Sequence, residues 1–397
     1  MDHVSDCPST YLDHGATTPL RPEVARAMAD ARSQPLGNPT GSHRPAQRAR
    51  RLLEESRDEV AGLLGRSPGD VVFTSGGTES ANLAVFGTLS AALHQGRTPT
   101  VVSSAVEHPA VRESCRAAAQ SSPVTWREVP VDRCGVVELD ALAEQLELEL
   151  RGATTLVAVM LANNETGVVQ PLARVAATVR ERSDTARLFT DAVQAAPYLS
   201  LADAASGADL VALSAHKVGG PVGVGALAID PSTELVAHHY GGGQERERRS
   251  GTQDVVGAVG LATALRLAAA ERDDAARRVG ALRDRLAVGL VEAIAGAHRT
   301  VPAEVATLPG HLHLCLAGIE REELLVALSE RGVCASGGSS CASGALEPSH
   351  VLAAMGVPDS LARGAVRFTL GHDTTGADID RALAVVPGVV AALRHGS

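Results

Sequence analysis

Aromatic residues make up only 2% of the 397-residue chain. Its interior must therefore be built from Ala, Val and Leu, and a hydrophobic content of 45% is ample for that. Basic runs are absent and the formal net charge is −10, which excludes nucleic-acid binding through an electrostatic footprint. Apolar runs such as Leu156 to Ala162 fall far short of the ~20 residues that span a bilayer. The first residues, Met1 to Asp6, are acidic and lack the basic-then-apolar order of a signal peptide. Six cysteines stand at irregular spacing without a Cys-x-x-Cys pair, so neither a disulfide framework nor a metal site is expected. These absences predict a protein of the reducing cytoplasm that does not engage membranes.

Lysine is present only once, at Lys217. Arginine substitutes wherever a positive charge suffices, but guanidinium stays protonated and cannot serve as a nucleophilic amine. A chain that keeps a single lysine points to amine chemistry such as a Schiff base. The alternative is a leftover surface residue, and the neighbourhood of Lys217 decides between the two.

Short valine-rich runs alternate with helical patterns, the signature of a mostly parallel sheet flanked by helices. Seven candidate strands are Asp70–Thr74, Thr100–Ser104, Val124–Val129, Thr155–Leu161, Arg187–Thr190, Leu210–Ser214 and Gly225–Ile229. Helical stretches are Glu79–Leu93, Ala110–Gln120, Leu139–Leu150 and Leu172–Arg182. From about Val255 to Ala297 the chain reads as one long Ala- and Arg-rich helix. A different rhythm follows: strand Leu312–Leu316, helix Arg321–Arg331, a Gly/Ser-rich loop, strand Ala365–Leu370 and a final helix. The expected organisation is a large α/β domain over 16–260 and a smaller α+β domain formed by 1–15 and 261–397.

Three motifs fall at strand ends. Ser75-Gly76-Gly77-Thr78-Glu79-Ser80 lies between a strand and a helix, where glycines allow close backbone approach and the helix N-terminus attracts an anion such as phosphate. Many such turns are glycine-rich for steric reasons alone. Asp191-Ala192-Val193-Gln194 follows the strand ending at Thr190, a position for ligand contact or for a helix cap. Ser214-Ala215-His216-Lys217 puts the lone lysine at the carboxyl edge of a strand, beside donors suited to phosphate. A fourth segment, Ala335-Ser336-Gly337-Gly338-Ser339-Ser340-Cys341-Ala342-Ser343-Gly344, cannot pack a core and predicts a mobile loop, about 333–346, with an exposed cysteine. A metal or disulfide role for it with Cys334 is weak, since no histidine or paired cysteine cluster is near. Cys7, Cys115, Cys134, Cys315 and Cys334 read as structural or incidental.

The order and spacing of these pieces resemble fold-type I enzymes that use pyridoxal 5′-phosphate (PLP), in the class V aminotransferase branch, and within it the group I cysteine desulfurases. The resemblance runs from Tyr11-Leu12-Asp13 to the final helix. It rests also on Ala16-Thr17-Thr18-Pro19, Gly37-Asn38-Pro39, Glu107-His108, Asn163-Asn164-Glu165-Thr166-Gly167, Gly241-Gly242-Gly243-Gln244-Glu245, Arg249-Ser250-Gly251-Thr252 and Arg367-Phe368-Thr369-Leu370-Gly371. It implies that Lys217 carries PLP covalently, Asp191 pairs with the pyridinium nitrogen, Gln194 bonds the ring hydroxyl, and His108 stacks on the ring. It assigns the phosphate to Gly77, Thr78, Ser214 and His216, with Thr252 supplied by the partner of a homodimer. Asn38, Asn164 and Arg367 fall to the substrate, L-cysteine, with Asn164 also beside the cofactor. Cys341 becomes the sulfur acceptor and passes a persulfide to an acceptor protein, an iron–sulfur scaffold being the default among several destinations. Selenocysteine lyase, transamination of a small amino acid, and a non-catalytic scaffold are the alternatives. Val193, Ala215 and Gly77 depart from the threonine, glycine and alanine usual at those places.

Overall fold

A computed structural model of the chain describes residues 9–148, 154–338 and 349–395. It begins with a short strand, β1 (Thr10–Tyr11), then two helices that the sequence reading did not name, α1 (Pro22–Ser33) and α2 (Arg44–Leu64). Helix α2 starts where the His43 side chain accepts the Ala46 N–H, and it stops at Gly65, whose φ of 64° suits glycine. Seven strands follow: β2 (Val71–Thr74), β3 (Thr100–Ser104), β4 (Thr125–Val129), β5 (Thr154–Ala158), β6 (Arg187–Asp191), β7 (Leu210–Ser214) and β8 (Gly225–Ile229). They form one sheet in the order β2-β8-β7-β6-β5-β3-β4. All neighbours pair parallel except β8, which runs against both β2 and β7. Because β8 reverses twice, β2 runs the same way as the parallel strands, and its carboxyl end reaches the same sheet edge as theirs.

Alternation along each strand feeds two cores. Val71, Phe73, Val102, Val157, Leu188, Val211 and Leu213 pack on one face, and Val72, Val101, Leu156, Phe189, Leu210 and Ala212 on the other. Helices cover both faces, which is why the central strands β7 and β8 are nearly continuous apolar runs. Helix α3 (Gly77–His94), α4 (Pro109–Ser121), α5 (Leu139–Leu148), α6 (Leu172–Arg182) and the one-turn α7 (Leu201–Ala204) connect them.

The long helix α8 (Val255–Ala293) opens at Asp254, whose carboxylate accepts the Gly257 N–H. Its first part, Val255 to Leu265, packs in the core beneath the sheet, and its second, Val279 to Leu290, packs in a separate core. That second core gathers β9 (Ala297–Arg299), β10 (His311–Leu316), α9 (Arg321–Glu330), β11 (Val333–Cys334), β12 (Ala365–Thr369) and α12 (Gly376–His395), while α10 (His350–Ala354) and α11 (Asp359–Ala362) pack with Val106, Met160 and Val168 in another cluster. β10 lies between β12 and β9, antiparallel to both. Leu12 also belongs to it, and β1 pairs parallel with β11, so the chain start joins this C-terminal layer. Among the described residues no helix is long and apolar enough to cross a membrane.

Candidate active site

The carboxyl edge of the sheet opens into a cavity of about 250 Å³ lined by Ala16, Thr78, His108, Asn164, Ser214 and His216, among others. Lys217, Asp191, Gln194 and Gly77 also line it, so most of the residues singled out in the sequence converge on one space. Lys217 ends the single 3₁₀ turn Ala215–Lys217 that follows β7. Its Nζ donates to the carbonyls of Gly15 (2.6 Å) and Ala16 (2.7 Å), and the amide of Gln194 donates to Gly15 O as well (2.8 Å). The Gly15–Ala16 backbone therefore aims both side chains, a role the motif Ala16-Thr17-Thr18-Pro19 did not disclose.

Asp191, the last residue of β6, is 7% exposed and accepts the Val193 N–H on Oδ1 (2.9 Å). No helix follows it; a turn does, which removes the cap reading. Burial raises its pKa, opposed by the positive charge of His108 and of Lys217. A cation placed beside it, such as a protonated pyridine nitrogen, would offset that desolvation. Across the cavity the strand β2 turns at Gly76, whose φ of 151° and ψ of −177° are open to glycine. Gly77 then begins α3, where a Cβ would stand 2.9 Å from Val193 Cγ2. The free N–H groups of that helix end, the Thr78 and Ser214 hydroxyls and His216 together could hold a phosphate. His216 is held neutral, its pKa lowered to about 4 by burial and by Lys217, and its Nδ1 lies 3.2 Å from Thr17 Oγ1. Glu79 braces this corner, accepting the Ser75 N–H (2.7 Å) and pairing with Arg249 (2.7 Å) of the Arg249–Thr252 motif.

His108 sits at the N-terminus of α4 and accepts the Ala110 N–H on Nδ1 (3.1 Å). Burial lowers its pKa, Asp191 opposes that, and Lys217 and His350 add to it. Beside it Glu107 is fully buried, and its pKa is pushed up to about 8 by desolvation, against hydrogen bonds from Ser104 and Met160. Arg367, 1% exposed, does not line the cavity directly: Nη1 donates to Asn164 O (2.7 Å) and Nη2 to Asp13 Oδ1 (2.7 Å). Its Nε lacks a partner. Asn38 and Thr252 are exposed and stand outside the lining, the Asn38 amide oxygen accepting from Thr40 instead. Cys341, with residues 339–348 of its segment, lies outside the described residues.

Residues 10–382 match the aminotransferase class-V family. The chain belongs to that family. It is 40% identical over 393 residues to the IscS-like cysteine desulfurase of Mycobacterium tuberculosis, covering 98% of each chain. It is 38% identical to the cysteine desulfurase IscS of Dictyoglomus turgidum, covering 97% of this chain and 95% of the relative. Among solved structures, a NifS-like protein superimposes with a TM-score of 0.88 at 33% identity, over 97% of this chain and 100% of that one. Enzymes of this family depend on PLP, and the donor set here fits it: one amine, a buried carboxylate, and a helix N-terminus with hydroxyl and imidazole neighbours.

Proposed function

We propose that this family member is a cysteine desulfurase, converting L-cysteine and a protein thiol into L-alanine and a protein persulfide. The observation that carries the reading is the placement of the only lysine, Lys217, in one cavity with Asp191, His108 and the phosphate donors. Near-full-length similarity to proteins named as cysteine desulfurases supports it.

Bound PLP supplies a carbonyl that condenses with amines and a ring that accepts electron density from the substrate's Cα–H bond. Lys217 Nζ, held by the Gly15 and Ala16 carbonyls, would hold the cofactor and serve as the base that takes and returns the Cα proton. Asp191 would keep the ring nitrogen protonated, Gln194 would bond the ring hydroxyl, and His108 would stack on the ring and help with proton transfers. Gly77, Thr78, Ser214 and His216 would hold the phosphate, a hydroxyl of Thr17 donating to His216 Nδ1 and leaving Nε2–H for it. Asn164 and Arg367 orient the substrate carboxylate, for which a planar guanidinium is the matching fork. Asn38 closes the substrate side, and Thr252 completes the phosphate cup of the second subunit in a homodimer.

Cys341 then acts as the thiolate that attacks the substrate sulfur. The C–S bond of the substrate breaks, an S–S bond forms, and the β-carbon gains a proton, so the carbon is reduced as the transferred sulfur is oxidised. No external oxidant is required. A second protein takes the sulfur, with iron–sulfur assembly as the default destination, and we place the enzyme in the cytoplasm. Four unpaired cysteines among the described residues support a reducing compartment. The division into a PLP domain and a small domain carrying the cysteine follows the two cores that α8 joins.

Replacing Cys341 with alanine tests the reading. Cofactor absorbance should persist while alanine, sulfide and persulfide production is lost. Sulfur release that survives the substitution would sink it.

A further inference from the structure

His108 owes its place at the cavity to the turn that carries it, between the end of β3 at Ser104 and the start of α4 at Pro109. The proline that follows holds its backbone extended, at a φ of −58° and a ψ of 145°. Its Nδ1 accepts the Ala110 N–H, so the neutral ring carries its proton on Nε2. Val106 and Glu107 lie in neither a strand nor a helix, and side chains hold them. The Asn163 amide donates to Val106 O (3.0 Å), and Glu107 Oε1 accepts the Met160 N–H (2.7 Å) and the Ser104 hydroxyl (2.6 Å). A further tie comes from 243 positions along the chain. His350, the first residue of α10, donates from Nε2 to the Glu107 carbonyl at 2.9 Å. A carbonyl only accepts, so the partner itself fixes the donor.

The setting of α10 suits that bond. Val351 and Leu352, the next two residues, are buried in one cluster with Val106 and Met160. Those are the residue before Glu107 and the residue whose N–H its carboxylate accepts. Ser349 caps the helix, its hydroxyl oxygen accepting the N–H groups of Val351 (3.1 Å) and Leu352 (3.3 Å), so His350 stands at a fixed helix start. Packing alone asks for no donor at position 350. The half-buried imidazole supplies one and aims it at the peptide bond that joins Glu107 to His108. A ring carried on such a turn moves with the turn, and a displacement of about 1 Å at a reacting group can cost about a hundredfold in rate.

We propose that His350 is a positioning residue for His108, holding the Glu107 carbonyl so that the His108 ring keeps its place at the cofactor cavity. It touches neither substrate nor cofactor and acts through His108 alone. The proposal rests on the reading of His108 as the group that stacks on the PLP ring.

The test compares His350→Phe and His350→Leu, which keep bulk without a donor, with His350→Gln, whose amide can replace the Nε2–H. In the cofactor-free chain, nitrogen-15 spectra of the histidine side chains report the placement of His108, its signal assigned by its loss in His108→Gln. That signal should shift or broaden in His350→Phe and return to its parent position in His350→Gln. In PLP-loaded enzyme, turnover of L-cysteine to alanine should fall about tenfold in His350→Phe, with cofactor content and KM within about twofold of the parent. His350→Gln should recover most of the rate. In a His108→Ala background, His350→Phe should slow turnover no further, whereas a general loss of packing would add to the defect. A parent-like His108 signal or parent-like turnover in His350→Phe overturns the proposal, as does additivity in the His108→Ala background. Loss of cofactor from both donor-less variants assigns His350 to packing and overturns it too. A parent enzyme that makes no alanine from L-cysteine overturns the proposed function instead, and the His108 signal then decides the placement.

Discussion

Removing the carboxylate of Glu245 is expected to destabilise the sheet edge that forms the phosphate corner. Arg57 of α2 is 2% exposed, and it meets Glu245, with a fully buried side chain, through two parallel bonds of 2.7 and 2.9 Å. Burial opposes the charge on Arg57, and the hydrogen bonds and charge of Glu245 outweigh it and raise its pKa. Glu245 Oε2 also accepts the Phe73 N–H of β2 (2.9 Å), two residues before the Ser75 turn. Its backbone is held at a φ of 49°, a conformation that persists only where surroundings enforce it. Breaking one partner of a buried pair costs about 3–5 kcal/mol. Glu54 at 3.2 Å and the Val71 carbonyl at 2.8 Å still attend Arg57, so Glu245→Gln belongs near the lower end, about 3 kcal/mol. Glu245→Ala adds an unpaired Phe73 N–H and should reach about 5 kcal/mol. Urea unfolding followed by far-UV circular dichroism, at fixed protein concentration and saturating cofactor, measures this. The double variant Arg57→Met/Glu245→Leu should regain most of the loss, because apolar replacement of a buried pair is close to neutral. A loss under about 1 kcal/mol for Glu245→Ala, or a double variant as unstable as the single, would refute the reasoning.

Other consequences are open to direct measurement. His311 is buried with neither ring nitrogen partnered, and its pKa is lowered from 6.5 to about 3 by burial first and by Arg367 and Lys217 next. Its depressed folded pKa means that stability is full above pH 6.5 and is lost as the unfolded chain takes up the proton below it. His311→Leu should therefore gain about 2 kcal/mol relative to the parent at pH 5 and far less at pH 8; equal shifts at both would contradict it. Gly77→Ala puts a methyl 2.9 Å from Val193 Cγ2 and should weaken PLP binding about tenfold, with Val193→Ala restoring it in the same titration. Arg367→Lys keeps the charge but loses the fork that spans Asn164 O and Asp13, so KM for L-cysteine should rise at least tenfold with cofactor content unchanged.

Much of the fold was legible because burial leaves a local mark. The strands Thr100–Ser104, Leu210–Ser214 and Gly225–Ile229 have the bounds read from the sequence, since each carries a buried apolar centre edged by polar or glycine residues. Helices α1 and α2 were not read from the sequence, because their apolar residues are sparse between charged ones, and packing against α8 is what defines their buried faces. The antiparallel setting of β8 is likewise invisible locally: pairing direction depends on which strand it meets.

By itself the sequence determined that one primary amine stands at a strand end beside anion-type donors, and that a cysteine lies in a segment too rich in glycine and serine to pack. Those facts follow from residue chemistry and local pattern, which need no knowledge of the rest of the chain. Tertiary structure alone decided that the Gly15 and Ala16 carbonyls aim Lys217, and that Glu245 of the glycine-rich motif serves as the buried counter-ion of Arg57. It also brought His350 of α10 to the carbonyl of Glu107. Each of these joins residues separated by 172 positions or more, or through a backbone atom of no distinctive type, so only chain folding could create the contact.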